Sequence, residues 1–332
     1  MRFLRTFALA ALAATATLAL VDMVFERTFP HFARLADNFS APYLARAIAH
    51  VDRTSVVFLG DSALWGYGLP AGDAAVTLLH ERGMPTENLS YEGGSPANTY
   101  AMLRLLLASG TRPKAVVFNV NLKEFNAADS AYQTLYPGVE RLAWPLLSAR
   151  QRSLLTPTAS APTIDSAIDA EVGTVWKMYG MRADLRYALF GDVDAAHAFE
   201  AWIERRSGAA ANIAAAHRPT PDRFEGTYDL SPIDASNVSM TFLGDTIALV
   251  RAEHVRAFAI LTPTNHTLLH EYIDTPEYDR NLASVHRALA AGGVSVLDYD
   301  RRFGAPEFID NDHLTAPGNR RLAALLAQDV RP

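Results

Sequence analysis

Short uninterrupted apolar runs, each followed by a turn signal and then by helical spacing, constrain this chain more than any other feature. Ser55–Leu59, Ala115–Asn121, Val255–Leu261 and Val294–Tyr299 are such runs, and Asn88–Tyr91, closed by Gly93 and Gly94, is a further candidate strand. Runs without a polar alternate suit strands covered on both faces, as in parallel sheets. Between them, Pro96–Ala108 carries Met102, Leu105 and Leu106 on one face, and Ala316–Gln328 closes the chain with Leu322, Leu325 and Leu326. Strands alternating with helices predict an α/β fold with a mostly parallel sheet.

The first run delivers the chemistry. Val56-Val57-Phe58-Leu59 runs into Gly60-Asp61-Ser62, a glycine turn that sets a serine at the carboxyl end of a buried strand. In open α/β sheets that end lines the ligand crevice. A serine opening the next helix also turns its own N–H toward a developing oxyanion. The bland reading of the same residues is a helix N-cap in an ordinary turn.

A second cluster changes the balance. Near the C-terminus stands Phe308-Ile309-Asp310-Asn311-Asp312-His313-Leu314, followed by Thr315, Pro317, Gly318 and the last helix. A serine needs a base to take its proton, and His313 is the candidate. Asp310, three residues earlier, is close enough within one turn to accept the Nδ1 proton and fix the tautomer. Two alternatives are a solvated acidic loop and a metal site of Asp310, Asp312 and His313. No other ligand cluster accompanies that trio, so neither metal nor cofactor is expected.

Gly60-Asp61-Ser62 after a strand, with Asp310-x-x-His313-Leu314 before a final helix, resembles the first and last blocks of the SGNH (GDSL-like) hydrolases. The resemblance covers the core strands only. It implies a three-layer α/β/α fold with Ser62 as nucleophile, His313 as base and Asp310 as orienting acid. The family's second block supplies an oxyanion N–H, which falls on Gly93, or on Gly94 if the turn shifts by one. Ser90 replaces that block's first glycine. The third block supplies a side-chain amide, here Asn121 or alternatively Asn119, in a stretch that lacks the usual glycine. The implied oxyanion hole is therefore Ser62, Gly93 and Asn121. Trp65 and Tyr67, just past the serine, read as core aromatics rather than as a platform for sugar or acyl groups.

The N-terminus bears on location. Arg2 and Arg5 precede an apolar run from Thr6 to Val21, and Asp22 and Glu26 follow it. That order directs the N-terminus inward and the rest of the chain outward. No small-x-small cleavage site sits at the end of the run, which favours an uncleaved signal-anchor over a cleaved signal peptide. The expected organisation is an anchor over 1–24, a helical connector over 25–52 broken at Pro42, and a catalytic domain over 53–332. That domain carries a largely helical insertion at about 126–245, with a Pro- and Ala-rich loop near Ala210–Pro221.

A net charge of −6 argues against nucleic acid as partner. The absence of cysteine excludes disulfides and cysteine nucleophiles. The resemblance and the anchor together imply acyl-ester hydrolysis or O-acyl transfer on a cell-envelope or secreted polysaccharide, in the periplasm. A membrane acyl exporter or a polysaccharide synthase would be a natural neighbour. The reading from a different class is a non-catalytic glycan-binding or assembly component.

Overall fold

The computed structural model describes residues 2–157, 171–173, 175–190, 226–228 and 230–330. Strands β1 (Val56–Leu59), β2 (Thr86–Asn88), β3 (Ala115–Val120), β4 (Ala257–Leu261) and β5 (Ser295–Asp298) form one sheet in the order β2-β1-β3-β4-β5. Every pairing is parallel, with Val56 facing Thr86 on one side and Ala115 on the other. Sequence and structure agree on the α/β class and on the strand sites. The second strand ends earlier than Asn88–Tyr91 suggested, although Leu89 and Tyr91 still donate their N–H groups to the Phe58 and Gly60 carbonyls.

Side chains alternate across these strands, so each strand feeds two cores. Val57, Leu59, Val116, Phe118, Val120, Ala259 and Leu261 face a layer that includes α5 (Pro96–Ala108) and the helix Val238–Ala252. Val56, Phe58, Ala115, Val117, Phe258 and Ile260 face the opposite layer, with α4 (Ala75–Glu81) and the helix Ala316–Asp329. The result is the expected three-layer α/β/α sandwich.

The chain leaves β1 for β2 on one side and returns to β3 on the other. Such a reversal opens a crevice at the carboxyl ends of the two diverging strands. Ser62 follows β1, and Asn119 and Asn121 lie at the end of β3.

Helix α1 (Arg2–Thr28) is long and apolar enough to cross a membrane, with a mean hydropathy of 2.0 over its best window and none of that window buried. Its last turns meet the domain, where Asp22 accepts from the Lys177 and Met178 N–H groups. The segment after it differs from the expected helical connector. Residues 29–40 are not helical, and Phe29, Leu35, Ala36 and Phe39 are buried in the larger core. Pro42 opens α2 (Ala41–His50) behind the Ser40 N-cap instead of breaking a helix. A proline lacks only an N–H that the first turn leaves unpaired anyway.

Of the expected insertion, short helices at Pro137–Ala143, Ala149–Ser153, Lys177–Gly180 and Arg182–Phe190 are described. The loop near Ala210–Pro221 lies outside the described residues.

Candidate active site

Ser62 opens the single-turn helix α3 (Ser62–Trp65), whose N-cap Asp61 accepts from the Ala63 N–H at 2.8 Å. Gly60 makes the turn possible. It has φ +145°, and a Cβ there would meet the Asn119 Oδ1 at 1.7 Å. Asn119 clasps the turn: its Oδ1 accepts from the Asp61 N–H at 3.0 Å, and its amide donates to Asp61 Oδ1 at 2.6 Å and to Thr262 at 3.1 Å.

On the opposite side of the crevice, the loop before the last helix is tied back on itself. The Ile309 N–H donates to the His313 carbonyl at 2.7 Å, and Phe308 bridges Leu314. Asn265, beyond β4, pins the loop by donating its amide to the Asp310 carbonyl and its N–H to the Asn311 carbonyl. Asp310 therefore points back along its own turn. Its carboxylate accepts from the His313 N–H at 3.0 Å and from the ring Nδ1 at 2.7 Å.

The two halves meet at His313, whose Nε2 stands 2.8 Å from the Ser62 Oγ. A carboxylate can only accept, so Nδ1 carries the ring proton and Nε2 of the neutral ring is free to accept from Ser62. Burial pushes the His313 imidazole down, but Asp312 and Asp310 beside it outweigh that and lift it above its ordinary value. Burial raises the Asp310 carboxyl, and the bonds from His313 and the Asp312 N–H bring it below the usual carboxylate range. The sequence reading thus has Ser62, His313 and Asp310 together in space.

The oxyanion candidates divide. Neither the Ser62 N–H nor the Gly93 N–H meets an acceptor among the described residues, and Gly93 takes the left-handed conformation at φ +75°. Gly94 instead packs on the Gly60–Asp61 turn and donates its N–H to the Tyr91 carbonyl. The Asn121 amide, expected to face the oxyanion, is donated to Asp61 at 3.2 Å and to Asp312 at 2.5 Å. The physical reason is the charge beneath it: two buried carboxylates need donors, and this amide lies between them.

That charge continues into residues the sequence reading did not single out. Lys123 forms an ion pair with Asp312, and its side chain is only 13 % exposed. Burial lowers the Lys123 ammonium, yet Asp312 and Asp61 more than restore it, well above its ordinary value. Burial also raises the Asp61 carboxyl, but Lys123, Glu124, the Ala63 N–H and Asn121 hold it below the usual range. Burial and Asp61 drive the Glu124 carboxyl well above its ordinary value.

The two aromatics past the serine also part. Trp65 is core, 3 % exposed, while Tyr67 is 38 % exposed and lays its ring 4.5 Å from the His313 ring. The trio Asp310, Asp312 and His313 brings potential ligand atoms within 4.8 Å of one another. Lys123 and Asn121 already occupy the Asp312 Oδ2, and Asp310 holds the ring Nδ1.

No protein-family model matches the chain, and no curated protein matches it either. Solved structures similar to it include a lipolytic protein of the G-D-S-L family from Desulfitobacterium hafniense DCB-2, at 9% identity over 83% of this chain and 99% of that one, with a TM-score of 0.41. An acetyl xylan esterase, AlAXEase, is similar at 13% identity over 83% of this chain and 100% of that one, with a TM-score of 0.41. The psychrotrophic esterase EstA from Pseudoalteromonas sp. is similar at 10% identity over 83% of this chain and 96% of that one, with a TM-score of 0.40.

Proposed function

We propose that the chain is a serine-dependent acyl-ester hydrolase or O-acyltransferase of the SGNH type. The observation that carries this is the continuous run of hydrogen bonds from Ser62 through His313 to Asp310, at 2.8 Å and 2.7 Å. His313 takes the Ser62 proton on Nε2 while Oγ attacks the ester carbonyl. The Ser62 and Gly93 N–H groups receive the oxyanion. The Asn121 amide would have to give up its bond to Asp312 to become a third donor. Collapse breaks the ester C–O bond, and the alcohol leaves with the proton that His313 returns. The acyl-enzyme then passes its acyl group to water, giving hydrolysis, or to a sugar hydroxyl, giving transfer.

An acetyl group on a cell-envelope or secreted polysaccharide is the substrate class that the resemblance to SGNH hydrolases implies for a domain carried outside the membrane by an apolar N-terminal helix. In this reading α1 remains as a signal-anchor and the catalytic domain works in the periplasm, beside a membrane acyl exporter or a polysaccharide synthase. The test is hydrolysis of a small aryl acetate by the full chain in detergent, beside Ser62→Ala. Activity and organophosphonate labelling should both vanish with the hydroxyl while the melting temperature is kept. Undiminished labelling would overturn the assignment. An inert parent protein that binds oligosaccharide would favour the non-catalytic glycan-binding reading.

A further inference from the structure

His313 has a second carboxylate within reach. Asp312 is fully buried at 0 % exposure, and its Oδ1 lies 3.6 Å from the same Nδ1 that Asp310 holds at 2.7 Å. That Oδ1 has no hydrogen-bond partner among the described residues. The other oxygen, Oδ2, is gripped by the Lys123 ammonium and the Asn121 amide. One ring proton thus faces two carboxylates, and a cation delivered from the end of β3 draws the nearer neighbour in sequence to the other side.

The charges around the ring come from every element that packs on it. Asp310 and Asp312 lie on its own loop, Asp61 and Ser62 on the β1 turn, Tyr67 just beyond, and Lys123 and Glu124 after β3. Tyr228 lies close enough to Asp312 and Lys123 to feel both charges, and Asp300 lies behind it. Of the groups named, Lys123 is the cation set among the carboxylates Asp61, Asp310 and Asp312. Without it, Asp61 and Asp312 would be buried and uncompensated, an arrangement that costs several kcal/mol when one partner of a buried pair is removed.

We propose that Lys123 is a positioning residue of the active site, holding Asp312 off the imidazole so that Asp310 alone accepts the Nδ1 proton. The inference rests on the Ser62–His313–Asp310 reading and adds two residues to it. Lys123 and Asp312 act on His313 with opposite sign. The ammonium disfavours the imidazolium, and the carboxylate favours it.

The experiment is the pH dependence of kcat/KM for a small aryl acetate, measured on the full chain and on Lys123→Met, Asp312→Asn, the double variant and Lys123→Arg. The acid limb reports the proton affinity of the base. Lys123→Met should move that limb up by on the order of 1 pH unit, because Asp312 is then free to turn to the ring. Asp312→Asn should move it down, the double variant should return it close to the parent, and Lys123→Arg should preserve it. A purely structural lysine would lower activity without moving the limb, and the double variant would then be worse than either single one; that result overturns the proposal. So does movement of both single variants in the same direction. If Lys123→Met does not fold, Asp312→Asn decides alone, since an amide of the same shape removes only the charge: an unmoved limb rejects the proposal. Full activity in Ser62→Ala would reject the triad reading itself, which separates the two failures.

Discussion

Gly94 lies so close to Gly60 that a Cβ built on it would stand 2.3 Å from the Gly60 carbonyl oxygen and 2.9 Å from the Asp61 Cα. The turn that presents Ser62 therefore rests on bare backbone. Gly94→Ala should displace that turn and lower kcat/KM far more than Gly93→Ala, where a Cβ meets nothing within 4 Å. Gly93→Ala should still cost about 1 kcal/mol for its left-handed backbone. Kinetics and thermal melts of the two variants, measured together, check the order; equal losses would mean that the Gly94 contact does not hold the nucleophile.

Asp310→Asn tests the orienting acid. The amide can donate to Nδ1, which stabilises the tautomer with its proton on Nε2, facing Ser62. The ring then has no lone pair for the serine proton, and turnover should fall by roughly three to four orders of magnitude with little loss of fold. Turnover within tenfold of the parent would show that another acid orients His313.

The parts legible in the sequence were those written locally. A buried strand declares itself by an unbroken apolar run, and the Ser62 turn and the Asp310–His313 spacing each fit within a few residues. Long-range pairing leaves no such trace. Lys123 reads as a surface lysine in a short loop until Asp312, from the far end of the chain, is folded against it. Asn121 looked like an oxyanion donor because its side chain was considered without the two carboxylates that claim it. The apolar spacing at Phe32, Leu35, Leu44 and Ile48 predicts a helical connector, but Phe29, Leu35, Ala36 and Phe39 are buried in a non-helical strap over 29–40.

The two asparagines at the end of β3 should fail differently. Asn119 is the only partner of the Asp61 N–H among the described residues and holds the turn, so Asn119→Ala should destabilise by roughly 1–3 kcal/mol through an unsatisfied buried donor. Asn121→Ala should cost more in kcat, because it removes one of the two donors that hold the Asp312 Oδ2 beside His313. Urea midpoints and kcat for both variants separate the roles; a larger kcat loss for Asn119→Ala would reverse them.

Activity and stability should respond to pH in opposite directions through His313. Its folded value is raised, so the stabilisation it provides is fully present below the ordinary histidine value of about 6.5 and is lost as pH rises through the folded value. Catalysis needs the neutral ring and so begins where that stabilisation ends. The acid limb of kcat/KM should lie above about 6.5, and replacing His313 by Asn should flatten the corresponding slope of melting temperature against pH. A limb below that value would show that the neighbouring carboxylates do not govern the ring.

Arg34 ties the strap to the turn that carries Ser62. It is 1 % exposed, donates to the Trp65 and Gly66 carbonyls at 2.9 and 2.8 Å and to the Leu69 carbonyl at 2.9 Å, and lies over the Trp65 ring at 3.9 Å. The Trp65 and Gly66 carbonyls end α3, the helix that Ser62 opens, and the Trp65 indole N–H answers by donating to the Leu35 carbonyl at 2.6 Å. Arg34→Met keeps much of the apolar stem but takes the Arg34 donor from the buried Trp65 carbonyl, while the Gly66 carbonyl keeps the Leu69 N–H. A buried unsatisfied group costs about 1–3 kcal/mol, and the loss should fall in that range. Lysine should restore only part of it, since one ammonium cannot reproduce the planar fork that reaches three acceptors. Because the contact lies on α3 itself, the fraction of folded Arg34→Met that labels with organophosphonate should also fall. A variant with parental stability and labelling would show that the strap covers the core without supporting the site.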